Sequence, residues 1–143
     1  MMDLDNPVLK LCQKGMRAEV EGRLPDARAL FEQAWAARTD DYDACVAAHY
    51  LARRQDDPAA ILHWNQESLR HADAVGDERV AAFYPSLLVG VAMAHEQLGD
   101  IAAACASFER AAEYAGALPA DAYGDQLRAA VADGLRRLTP SRR

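Results

Sequence analysis

Apolar residues recur along the chain at three- and four-residue steps. The longest such run, Val80, Phe83, Leu87, Val91, Ala94 and Leu98, draws one stripe along a helix. A second stripe, Tyr123, Leu127, Val131, Leu135 and Leu138, steps mostly by four near the end of the chain. Between the stripes, proline after a cap-forming residue marks helix starts at Asn6-Pro7 and Asp57-Pro58, and Leu24-Pro25 and Leu118-Pro119 fit the same scheme less well. Together these signals predict seven helices, at about 7–22, 25–38, 41–55, 58–75, 78–98, 100–116 and 119–138. Pro85 falls inside the fifth. An interior proline costs about 3 kcal/mol, so that helix is either kinked there or starts near Tyr84. The short connections place consecutive helices side by side and antiparallel, which makes the chain one continuous array of helical hairpins.

The hairpins repeat. Gly15, Gly22, Ala27, Phe31 and Ala34 in the first match Ala92, Gly99, Ala104, Phe108 and Ala111 in the third at identical internal spacings. Small residues let paired helices approach closely, and the aromatic fills the space between one hairpin and the next. A middle copy aligns Ala48, Ala60 and Trp64, with Gln55 at the turn position and Glu67 in place of the last alanine.

On these residues, over about Leu11 to Ala115, the chain resembles tetratricopeptide repeat proteins, whose unit is a helix–turn–helix of about 34 residues with small and aromatic residues at these places. The longer second unit resembles the extended-helix form of the repeat. The resemblance implies an all-α, right-handed solenoid in a single domain over 1–143. Its repeats would lie at about 7–38, 41–75 and 78–116, with a capping helix at about 119–138 and a flexible tail at 139–143. It also implies a concave groove lined by the first helix of each pair. Carried onto this sequence, the groove residues are Cys12 and Met16, Cys45 and His49, and Val89 and Met93. Glu19, Arg53 and Glu96 lie one turn further on, and Tyr42 lies near the start of the third helix. A sulfur-rich apolar groove suits an apolar or amphipathic peptide, because methionine adapts to irregular partners. It does not suit a free C-terminal carboxylate, which needs cationic and amide side chains at those positions.

Charge narrows the partners. With 16 Lys and Arg against 22 Asp and Glu the formal net charge is −6, so nucleic acid and anionic membrane surfaces are not expected partners. Arg136, Arg137, Arg142 and Arg143 read as a solvated tail. The 31 alanines favour closely spaced helices. The beginning of the chain shows no basic stretch followed by an apolar run, and no segment approaches about 18 uninterrupted apolar residues. Three cysteines, 33 and 60 residues apart, match neither a disulfide framework nor zinc spacing, so reduced thiols in a cytoplasm are expected.

Candidate chemistry is sparse. His95-Glu96 begins a metalloprotease H-E-x-x-H helix, but Gly99 stands where the second histidine is needed. His63 and His71 lie about 12 Å apart along one helix, too far to share a metal. Cys45 and His49 have i,i+4 geometry, with no further ligand supplied by the sequence. Asp40, Asp41, Asp43, Asp56 and Asp57 sit where helix starts want negative charge. No cofactor is expected, and Cys105 is expected to be at least partly buried as a packing residue. The expected function is a non-catalytic protein-interaction module with a protein or peptide partner. The alternatives are a sensor or carrier of a small apolar or peptide ligand and, least favoured, a thiol or metal enzyme using Cys45 and His49. A last-helix stripe left partly free would serve a homodimer, whereas a covered one makes that helix a cap.

Overall fold

A computed structural model describes residues 5–118 and 120–138. Pro119, at which the sequence starts the last helix, and the 139–143 tail lie outside them. Among the described residues the fold is all-α, with eight α-helices and no strand. The helices are α1 (Pro7–Val20), α2 (Leu24–Ala36), α3 (Asp41–Arg53), α4 (Pro58–Val75), α5 (Glu78–Ala81), α6 (Tyr84–Gln97), α7 (Ile101–Glu113) and α8 (Ala122–Leu138), with a 3-10 turn at Ala115–Ala117 before α8. The predicted fifth helix is two elements. Pro85 sits in the first turn of α6, where its missing N–H costs nothing, and α5 ends at Ala81.

Starts and stops follow local chemistry. The Asn6 side chain accepts hydrogen bonds from the N–H groups of Val8 and Leu9 at 2.8 and 3.4 Å. Asp40, Asp57, Asp77 and Asp100 cap α3, α4, α5 and α7 in the same way. Gly22 and Gly99 take φ of 79° and 86° at the α1–α2 and α6–α7 turns, a conformation that favours glycine.

Tertiary contacts gather into two compact units that divide between Gly76 and Asp77. In the first, α1 packs on α2, α3 on α4, and α3 also meets α1 and α2. Its centre is Phe31, fully buried between the fully buried Ala27 and Ala34. The ring lies so close to Gly15 that a Cβ built there would stand 2.3 Å from it. Its other side stacks on Tyr50 of α3 at 5.2 Å between centroids.

In the second unit α6 packs on α7, and α8 packs on both. Phe108 is fully buried between Ala104 and Ala111, and here the glycine against the ring is Gly134 of α8, with a would-be Cβ at 2.5 Å. Gly134, a weak point of the last helix by propensity alone, is thus a point of close approach.

The middle helix pair departs from the alignment made on sequence. The buried residues of α4 are Asn65, Ser68 and Ala72, whereas Ala60, Trp64 and Glu67 are only partly covered. Three residues separate α1 from α2 and α6 from α7, but four, Arg54 to Asp57, separate α3 from α4. One extra loop residue turns the following helix by about 100°, which moves the inward face from 60, 64 and 67 to 61, 65 and 68.

Gly15→Ala is therefore expected to lower stability by about 1–3 kcal/mol despite alanine's better helix propensity, because the enclosed Phe31 ring cannot move aside. Urea denaturation of the variant against the wild-type protein measures it.

Candidate functional site

The candidate groove residues of the first unit come from α1 and α3. Both helices are held at their N-termini by one buried carboxylate. Asp43 Oδ1 accepts from Asn6 Nδ2 at 2.8 Å, and Asp43 Oδ2 accepts from the Thr39 N–H and hydroxyl at 3.1 and 3.0 Å. Asn6 caps α1 while reaching α3, so the faces of the two helices are set in a fixed register.

That register turns both thiols inward. Cys12 is 2 % exposed and Cys45 fully buried, so neither offers surface to a partner. Burial, followed by the nearby Asp43 charge, pushes the Cys12 thiol up to about 12. Burial also raises Cys45. The Ser68 hydroxyl, the group best placed to stabilise a thiolate there, donates its proton to the Cys45 carbonyl at 2.7 Å. Its oxygen also lies 3.5 Å from Cys45 Sγ.

His49 is partly covered and packs edge-on to Tyr50 at 5.0 Å. Desolvation, followed by the Arg53 charge, pushes its imidazole down to about 4, which keeps it neutral near pH 7. Met16 and Tyr42 are partly exposed. Glu19 has a side chain only 9 % exposed and stands 2.8 Å from Arg53 Nη2 and 3.0 Å from Arg54 Nε. The second of these contacts is close but not aligned for a hydrogen bond.

In the second unit, Val89 is buried, Met93 is 46 % exposed, and Glu96 of α6 pairs with Arg137 of α8, which also holds Asp133 at 2.9 Å. Of the candidate groove residues, then, Met16, Tyr42 and Met93 present apolar or aromatic surface, and Glu19, Arg53 and Glu96 are engaged in ion pairs. Cys12, Cys45 and Val89 belong to the core.

No group of three or more His, Cys, Asp or Glu among the described residues is placed to hold a metal ion. Cys45 and His49 acquire no third ligand. His71 Nδ1 stands 2.7 Å from Asp41 Oδ1, which ties α4 to the start of α3. No helix among the described residues is long and apolar enough to cross a membrane.

Two features escaped the sequence reading. Trp35 and Trp64 meet edge to face at 5.0 Å, with the Arg38 guanidinium 4.0 Å above Trp35. Arg28, Arg53 and Arg54 line a common cleft with Leu24, Pro25 and Asp56. The adjacent pair Arg53-Arg54 at a helix end in an acidic chain was the available signal for the second.

Two expectations follow. Because His49 binds its proton at about 4 when folded and 6.5 otherwise, the unfolded chain takes up more protons between those values. Its contribution to stability is thus complete above pH 6.5 and declines as pH falls toward 4. His49→Gln should lose on the order of 1–2 kcal/mol less stability than wild type between pH 7 and 5, read from denaturant midpoints. A disulfide thiol reagent should modify the partly exposed Cys105 at least about tenfold faster than Cys12 or Cys45 in the native protein, by mass mapping of the labelled peptides. Comparison with family models, curated proteins and solved structures finds no match for this chain.

Proposed function

We propose that the chain is a tetratricopeptide-like helical array that acts as a non-catalytic interaction module and binds an apolar or amphipathic peptide segment. The observation that carries this reading is the paired packing unit. A left-handed turn glycine and a fully buried Ala-Phe-Ala triad recur at Gly22 with Ala27, Phe31 and Ala34, and at Gly99 with Ala104, Phe108 and Ala111. Units packed in this way would offer a preformed surface, and a preformed surface binds a flexible segment without having to order itself.

The chemistry of the sulfur residues supports the non-catalytic part. A nucleophilic cysteine needs an accessible, lowered thiol, and Cys12 and Cys45 are buried and raised. Methionine offers an adaptable contact at Met93 and, in part, Met16. With the thiols and Val89 assigned to the core, the proposed contacts narrow to Met16 and Tyr42, beside Glu19 and Arg53, in the first unit and to Met93, beside Glu96, in the second.

A peptide-display selection on the whole chain tests the proposal. Selected peptides should carry apolar residues at helical or alternating spacing, and Met16→Glu or Met93→Glu should weaken the selected peptide at least about tenfold, read by fluorescence anisotropy. Circular dichroism confirms that the variants remain helical. Wild-type affinity in both variants, or selection of peptides dependent only on a free acidic C-terminus, overturns it.

A further inference from the structure

Arg28 of α2, Arg53 in the last turn of α3 and Arg54 just beyond it converge on a cleft of about 260 Å³, whose wall is completed by Leu24, Pro25 and Asp56. All six belong to the same compact unit. Three guanidiniums drawn together repel one another unless something holds them, and part of that role falls to Glu19. Its largely buried carboxylate stands 2.8 Å from Arg53 and 3.0 Å from Arg54.

Arg53 and Arg54 are held by Glu19, and none of the three arginines is used up. A guanidinium offers five N–H donors. Arg54 spends only its Nε side on Glu19, and Arg28 lies 4.0 Å from Glu32 through its Nε. The Nη groups of Arg28 and Arg54 meet no acceptor among the described residues. Arg53 keeps one Nη2 bond to Glu19 and lies over the Tyr50 ring at 5.3 Å. Asp56 is the only carboxylate on the wall; counted together with Glu19, which pairs with Arg53 and Arg54, the three guanidiniums keep one positive charge in excess within a chain whose net charge is −6.

We propose that this cleft binds a phosphate group, as free inorganic phosphate or as the phosphoryl group of a phosphorylated side chain, through Arg28 and through Arg53 and Arg54, which Glu19 holds in place. A phosphomonoester carries about −1.5 to −2 charge near pH 7, and the local excess of positive charge favours it. Its three terminal oxygens accept from donors arriving on several sides, whereas a carboxylate offers two oxygens in one plane. Leu24 and Pro25 give the ester's carbon side an apolar edge. The inference does not rest on peptide binding at Met16, Tyr42 and Met93.

Titration calorimetry on the whole chain at low ionic strength tests it with four probes: inorganic phosphate, a phosphoserine peptide, the same peptide unphosphorylated, and acetate. Saturable binding of phosphate or of the phosphopeptide is expected, weakened about tenfold or more by Arg28→Gln and by Arg54→Gln, and unchanged by Arg17→Gln on the exposed face of α1. Tighter binding of the phosphopeptide than of phosphate identifies a phosphorylated protein as the source, and equal affinity identifies the free anion. Circular dichroism controls for folding, and Arg28, exposed on α2, keeps the test decisive should Arg54→Gln unfold. Absence of saturable binding of both phosphate probes, acetate binding as tight as phosphate, or wild-type affinity in the folded arginine variants overturns the proposal.

Discussion

Two phenylalanine rings, each pressed against the backbone of a helix that carries glycine at the point of contact, set the packing of both compact units. Phe31 lies on Gly15 and Phe108 on Gly134, in each case closer than any Cβ would permit. Burying a phenylalanine contributes about 1.5–3 kcal/mol. In so alanine-rich a chain few other side chains are large enough to fill the space between helices. The contact also dictates interhelical distance, because a ring seated on bare backbone fixes how near the helices lie and which residues of each turn inward. The two units use the device differently. In the first the glycine sits on the helix paired with the aromatic, whereas in the second it sits on the closing helix α8.

Distance alone does not set rotation or register, and a polar linkage does so in the first unit. Asp43 joins the cap of α1 to the start of α3 through Asn6 and Thr39. A buried carboxylate left without such partners would be costly, so the α1 and α3 termini are held together by the need to satisfy it. With that end fixed, Cys12 and Cys45 turn toward the interior while Met16 and Tyr42 retain surface. At the other end of the same two helices Glu19 reaches Arg53 and Arg54. One carboxylate thus holds the helix starts, and another holds the arginines at the end of α3.

Helix identity was legible in the sequence because caps and prolines act locally. Asn6, Asp57 and Asp100 bond their own first turns whatever the rest of the chain does. The two aromatic triads were legible for a related reason, since their spacing within one helix already fixes a face. The middle pair was not. One additional residue between α3 and α4 leaves each helix intact yet rotates the second against the first, and composition carries no trace of that rotation until Asn65 and Ser68 are seen to be buried. Which way a helical side chain faces likewise depends on the neighbouring helices, and Cys12, Cys45 and Val89 lie in the core.

Charge placement was the least legible feature, because net charge is a sum and hides its own exceptions. A chain at −6 is repelled by polyanions as a whole, yet an anion at the mouth of the arginine cleft meets the local field of Arg28, Arg53 and Arg54 first. At physiological ionic strength charges more than about 8 Å away are largely screened. The acidic residues elsewhere then act mainly against large, extended anions that must approach much of the surface. A compact anion samples only the cleft. On the proposal made for the cleft, a chain of net negative charge holds a place for a single phosphate group, because net charge and local charge are one distribution seen at two distances.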